Sequence, residues 1–189
     1  MRKQHTKIWK SIEESCRKKC WDVETIYKRA ELILNSYREV CWKTKARAEE
    51  VKAELSSFSS KELEDALIYL ETFAPEKERD CFQNKVESLF ETKALVEMVD
   101  TAMIRVKEYP GRGDEFFDIL SLKYLDRFRY KGRDVWEILG MERSVYYDKK
   151  KDAILVFAYA FWETALPKYR KAILPEVGDE EDYLESELW

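Results

Sequence analysis

The chain has 189 residues, 45% of them apolar and 38% charged, with a formal net charge of −4, five glycines and four prolines. That composition supports a sizeable packed core and excludes a largely disordered chain, and the shortage of Gly and Pro excludes an architecture of many short strands. The net charge argues against a protein that coats nucleic acid unselectively. Charge is graded, however: residues 1–21 carry seven Lys/Arg against two Glu, residues 123–151 carry nine against five acids, and the tail "EVGDEEDYLESELW" has seven acids and no base.

From residue 8 to 55 apolar positions recur at spacings of three and four, among them Ile12, Cys16, Val23, Ile26, Ala30, Ile33, Leu34, Tyr37, Val40, Val51 and Leu55. The spacing predicts one long helix, or two joined by a soft break with Asn35-Ser36 as the bend. A continuous rod of that length would reach roughly 70 Å. Its stripe needs a partner helix, from the same chain or in a coiled coil with a second subunit. Ser59 with Glu62 fits a capping box, staged by Phe58 and Leu63, and Pro75 closes that helix or opens the next. Helical spacing resumes to Tyr109, "YPGRGD" reads as a loop, and Asp114 is placed to cap a helix over 115–128. "RYKGRD" is a basic turn, "RDVWEILG" a short helix ended by Gly140, and a last long helix runs to about residue 164. Pro167 and Pro175 bracket one further short turn, and no strand pattern or fixed-period repeat is present.

The segment "ILGMERSVYYDKKKDAI" carries the functional signal. A helix-turn-helix needs a short helix, a sharp turn and a second helix whose first half enters the major groove. Gly140 can take the left-handed conformation that ends the first helix, and Met141 can plug the gap. Tyr146, Ala153 and Phe157 fall on an inner face; Arg143, Ser144, Tyr147, Asp148 and Lys151 fall on the outer one. Those five are the candidate base contacts, and Lys131, Arg133, Lys149 and Lys150 are the candidate backbone contacts. A lysine run is a solvated face in most proteins, but its place one turn into the candidate recognition helix favours DNA; Tyr147 reads equally as a ring resting on Arg143.

"LGMERSVYYDKKKDAILVFA" resembles the signature L-G-[IVM]-S-R-S-T-[YF]-Y-x-x-K-K-x-A of phage and prophage late-gene regulators of the ArpU type. Those proteins are themselves similar to the DNA-binding region 4 of sigma-70 factors. The resemblance spans about residues 60–168, including the lead-in "LFETKALVEMVDTAMIRVKEYPGRGDEFFDILSLKYLD", and is most specific from Arg133 to Ala158. It implies sequence-specific binding of double-stranded DNA at promoters of packaging or lysis genes, with RNA polymerase as a partner. Arg143, Ser144 and Tyr147 match its contact positions, and Lys149, Lys150 and Ala153 its basic and packing positions. Glu142 replaces the usual capping Ser, and Asp148 stands where a basic or neutral residue is commoner.

The expected architecture is all-α. A long amphipathic arm covers 1–57, a helical domain covers 58–174 with a sigma-70 region 4-like helix-turn-helix at about 133–158, and an acidic tail covers 175–189. The arm is expected to offer a homodimer contact. The alternative is a helical phage assembly or packaging protein acting through its long helix. No nucleophile elbow, phosphate loop or candidate histidine base points to an enzyme, and no cofactor is implied. Cys16 and Cys20, placed on one helix face, could supply half of a zinc site. The single histidine, His5, leaves the other half wanting, so reduced thiols are the better reading. The longest apolar run, Ala153 to Trp162, is too short to span a bilayer, and no secretory signal is evident; a cytoplasmic protein is expected.

Overall fold

A computed structural model of the protein describes residues 6–50, 60–78, 82 and 92–173. These fold as helices and the turns between them, with no strand among the described residues, so the all-α expectation holds there. The helices are α1 (Lys7–Lys18), α2 (Val23–Glu50), α3 (Ser60–Thr72), α4 (Pro75–Glu78) and α5 (Thr92–Lys107). They continue with α6 (Gly113–Leu120), α7 (Gly132–Ile138), α8 (Arg143–Ala160) and α9 (Leu166–Ile173). Wide π turns at Ser121–Leu125 and Phe161–Ala165 extend α6 and α8.

The first half of the chain bends at a different place from the one its composition suggests. Asn35 and Ser36 lie inside α2, where their side chains donate back to the carbonyls of Glu31 (2.8 Å) and Leu32 (3.0 Å). Such local bonds leave the helical ladder intact, so no bend follows. The break falls at residues 19–22. Cys20 takes a left-handed φ of 57°, Cys20 N–H donates to Arg17 O at 3.2 Å and Trp21 N–H to Cys16 O at 3.0 Å. This is a Schellman closure with cysteine in the place usually held by glycine. Asp22 then caps α2: its carboxylate accepts from the Thr25 amide at 2.8 Å and the Thr25 hydroxyl at 2.5 Å. Those two bonds hold the Asp22 carboxyl below its ordinary value. The same turn separates the two cysteines, burying Cys16 and exposing Cys20, so the shared face expected of them is absent. Burial pushes the Cys16 thiol up to about 11, which keeps it protonated and unreactive at neutral pH.

Helix α8 is the hub of the core. From Ala153 to Ala158 every residue is buried, and α1, α2, α5 and α6 all pack against it. A helix apolar on all sides needs this many neighbours. The stripe of α1 and α2 supplies one of them: Ile12, Cys16, Ile26, Ala30, Ile33, Leu34, Tyr37 and Val40 are buried in the same core as α8. Between Ile12 and Val40 the stripe is therefore covered within the chain. Polar ties reinforce the packing. Thr6 caps α1 by accepting the Trp9 amide at 3.1 Å and donates its hydroxyl to the buried Asp152 of α8 at 2.6 Å. Arg170 makes a two-pronged pair with Glu71, each contact 3.1 Å, holding α9 to α3.

Two local details also differ from expectation. Arg112 rather than Asp114 is the N-cap of α6, which begins at Gly113, so Asp114 sits in its first turn, where a carboxylate suits the helix dipole. Helix α8 does not stop near residue 164 but runs through its π turn into α9. Pro167, which has no N–H to donate, is the second residue of α9, with Leu166 between it and the end of that wide turn. Ser59 of the expected capping box, His5, Cys81 and the acidic tail lie outside the described residues.

Candidate nucleic-acid interface

Helix α8 has two unlike halves. Of residues 143–151 only Tyr146 is buried, and from Asp152 to Ala158 all are. The reason is in the sequence: charged and polar residues surround Tyr146 in the first half, and apolar ones fill the second. The exposed half is held by a small core of its own, formed by Ile119, Val135 and Tyr146 with Leu139, Met141 and Trp136 packed around them.

The turn before α8 is built from backbone bonds. Gly140 takes φ 62°, its N–H donates to Glu137 O at 3.2 Å, and Met141 N–H donates to Trp136 O at 2.8 Å. This is a second Schellman closure, and Met141 and Trp136, whose backbones it joins, both pack against the same small core. A side chain at residue 140 would meet no atom within 4 Å, so glycine is needed there for its backbone conformation and not for space. Glu142 starts α8 in an extended conformation (φ −71°, ψ 147°) without a side-chain cap, and its carbonyl accepts the Tyr146 amide at 2.9 Å. On the other side of the turn, the Asp134 carboxylate accepts the Lys131 amide at 2.7 Å and so caps α7.

The structure sorts the sequence-derived residues into three groups. Arg143, Ser144, Tyr147, Asp148 and Lys151 are all exposed on the first half of α8. Among them Tyr147 is not a free ring. It meets Trp136 at 5.9 Å and Tyr146 at 5.2 Å, the guanidinium of Arg143 lies 5.9 Å from its centroid, and the ammonium of Lys150 lies 5.5 Å away. Its hydroxyl stands 3.2 Å from where a side chain on Gly132 would begin, so the ring also packs over the start of α7. Arg143 is equally close to Trp136, at 5.9 Å. Such cation–π contacts orient the guanidinium while leaving its donors free.

The candidate backbone contacts divide. Lys149 is ion-paired with Glu115 of α6, both side chains partly covered, and Arg133 pairs with Glu137 at 2.7 Å on α7. Lys131 and Lys150 make no ion pair among the described residues. The Lys149 charge is met within the fold by a partly covered partner, whereas the exposed Arg133–Glu137 pair is weak and leaves Arg133 available to an outside anion.

Sequence reasoning overlooked Lys123, Arg129 and Arg38. Arg38 of α2 donates to the carbonyls of Leu122 (3.2 Å), Lys123 (2.7 Å) and Asp126 (2.7 Å), closing the end of the π turn. Lys123 donates to Tyr130 O at 3.2 Å. Its ammonium is pushed toward the neutral form by burial first, then by Lys150, Arg38 and Arg129. Residue 38 lies 85 positions from residue 123, so no local pattern could have joined them.

No helix of the described residues is long and apolar enough to cross a membrane, and no group of three or more His, Cys, Asp or Glu side chains among them could hold a metal ion. No family model matches the chain, and neither the curated proteins nor the solved structures include a significant match.

Proposed function

We propose that the protein is a DNA-binding transcriptional regulator that places the first half of α8 in the major groove, with α7 and the Gly140 turn as the lead-in of a helix-turn-helix. The observation that carries this reading is the division of α8. A helix anchored by its second half in the core projects Arg143, Ser144, Tyr147, Asp148 and Lys151 from its exposed first half. Arg143 can serve guanine with two donors, Ser144 and Tyr147 can serve bases or phosphates, and Asp148 can accept from cytosine. The resemblance to ArpU-type regulators extends the proposal to phage or prophage late genes, with RNA polymerase as a partner and no enzymatic activity. A homodimer through the N-terminal helices would need the same uncovered stripe as the alternative below, so it is left out of the proposal. The alternative, an assembly or packaging protein, needs an uncovered stripe along the N-terminal helix; between Ile12 and Val40 that stripe is covered within the chain.

The test is a fluorescence-anisotropy titration against pools of duplex DNA, followed by selection of the preferred sequence. Arg143→Ala combined with Lys151→Ala is expected to abolish preference among sequences, with a loss of about 1–3 kcal/mol for a two-pronged guanine contact. Binding indifferent to salt, or a sequence preference unchanged in that double variant, refutes the proposal.

A further inference from the structure

We propose that Trp136 of α7 is a positioning residue for base reading: its ring, together with that of Tyr147, seats the Arg143 guanidinium ready for a guanine in the major groove. The inference rests on the reading of α8 as a DNA-binding helix and names what fixes its reading side chain. The Arg143 guanidinium lies 5.9 Å from the Trp136 centroid and 5.9 Å from that of Tyr147. The two rings meet edge-on, 5.9 Å apart at 61°. Tyr146 closes the cluster from the core side, 5.9 Å from Trp136 and 5.2 Å from Tyr147, and is itself fully buried. Each ring touches the other two, so none can turn without displacing its neighbours. Gly132 lets α7 lie against them all. A side chain there would begin 3.2 Å from the Tyr147 hydroxyl, 3.7 Å from a Tyr146 ring carbon and 3.9 Å from a Trp136 ring carbon.

The place of Arg143 explains why it needs a seat. It opens α8, so no earlier turn of that helix supports it. Tyr147, one turn on, shares its face, whereas Trp136 reaches it only across the Gly140 turn. The carbonyl of Trp136 accepts the Met141 amide at 2.8 Å, so the bond that closes the turn also sets where the ring stands. Among the described residues no carboxylate competes for Arg143: that of Glu137, on α7, lies against Arg133 instead. A guanidinium held by ring faces keeps its donors for the O6 and N7 acceptors of guanine, where a carboxylate partner would occupy them. An unseated arginine must surrender its rotamer freedom on binding; a seated one has surrendered it on folding.

The experiment uses the full chain and its preferred duplex, with each guanine replaced in turn by 7-deazaguanine, which lacks the N7 acceptor. The guanine read by Arg143 is the one whose replacement weakens binding of the parent and leaves Arg143→Ala unaffected. At that base pair Trp136→Leu is expected to lower discrimination by about 2- to 12-fold, the range for ordering one long side chain on binding. Trp136→Phe, which keeps a ring face, should restore most of it. The salt slope should match the parent, since no phosphate contact is lost. In the Arg143→Ala background Trp136→Leu should change nothing further at that pair. A loss spread evenly over all pairs, or persisting without Arg143, marks a merely structural role and overturns the proposal while sparing the reading of α8. Trp136 also packs against the small core, so a second measurement is made on the free parent protein. The Arg143 Nε–H resonance, assigned by its absence in Arg143→Lys, is expected upfield of a solvated arginine because of ring currents. A solvated position overturns the seat even where Trp136→Leu fails to fold. Failure of the parent to bind any duplex, with that resonance upfield, refutes the reading of α8 and with it the positioning role.

Discussion

Replacing Thr6 by Val tests how the start of the chain is fastened to the central helix. The change keeps the branched shape and removes a hydroxyl with two partners: it accepts the Trp9 amide at 3.1 Å and donates to Asp152 at 2.6 Å. Loss of an N-cap costs about 1 kcal/mol. Loss of a hydrogen bond to a charged, buried acceptor costs about 2 kcal/mol more, because Asp152 is only 4% exposed and has no water to turn to. The expected destabilisation is about 3 kcal/mol, seen in urea unfolding followed by circular dichroism. For a chain of this size it corresponds to a fall in melting temperature of about 6–12 °C. Thr6→Ser keeps both bonds and is expected to stay close to the parent. A double-mutant cycle with Asp152→Ala isolates the link between the two residues and should yield a coupling of at least about 1 kcal/mol. If Thr6→Val costs the same with and without Asp152, the hydroxyl–carboxylate bond contributes nothing and the reasoning fails.

Further outcomes follow from the same geometry. Burial raises the Asp152 carboxyl above its ordinary value of 3.8, so the folded state binds the proton more tightly than the unfolded one. Its contribution to stability therefore falls as pH rises from 3.8 through the raised value, and it is a net penalty at neutral pH. Asp152→Asn is expected to stabilise the protein at neutral pH and to lose that advantage in acid; a neutral-pH loss would show that burial is not the dominant effect. Gly113→Ala should destabilise by at least about 3 kcal/mol, because its Cβ would lie 2.0 Å from the Lys107 carbonyl oxygen and 2.6 Å from its carbon. Gly111→Ala meets open space and should cost only the left-handed strain, about 1–2 kcal/mol, so equal effects in chemical unfolding would contradict the packing at Gly113. Cys20→Gly should stabilise by about 0.5–1 kcal/mol by relieving a side chain held at φ 57°, and a loss of stability would place Cys20 in a packing role.

The helical class was legible because the apolar positions recur every three or four residues and Gly and Pro are scarce. The Gly140 turn was legible for a similar reason, since only glycine takes φ 62° without strain. The bend at residues 19–22 was hidden because its left-handed position holds a cysteine, which carries no such signal. Asn35-Ser36 misled because residues that favour turns can also bond to the preceding helical turn and leave the helix whole.

By itself the sequence determined the local things: which stretches are helical, where Gly140 stops α7, and that polar residues surround Tyr146 while apolar ones fill the second half of α8. Those depend on neighbours a few positions away, and chain chemistry at that range is decided by spacing and backbone preference. Tertiary structure decided which surfaces remain available. It covered the N-terminal stripe with α8 and α5, engaged Lys149 with Glu115, and tied Arg38 to the distant carbonyls of Leu122, Lys123 and Asp126. A charge is free or neutralised according to what lies across from it in space, and no spacing along the chain encodes that.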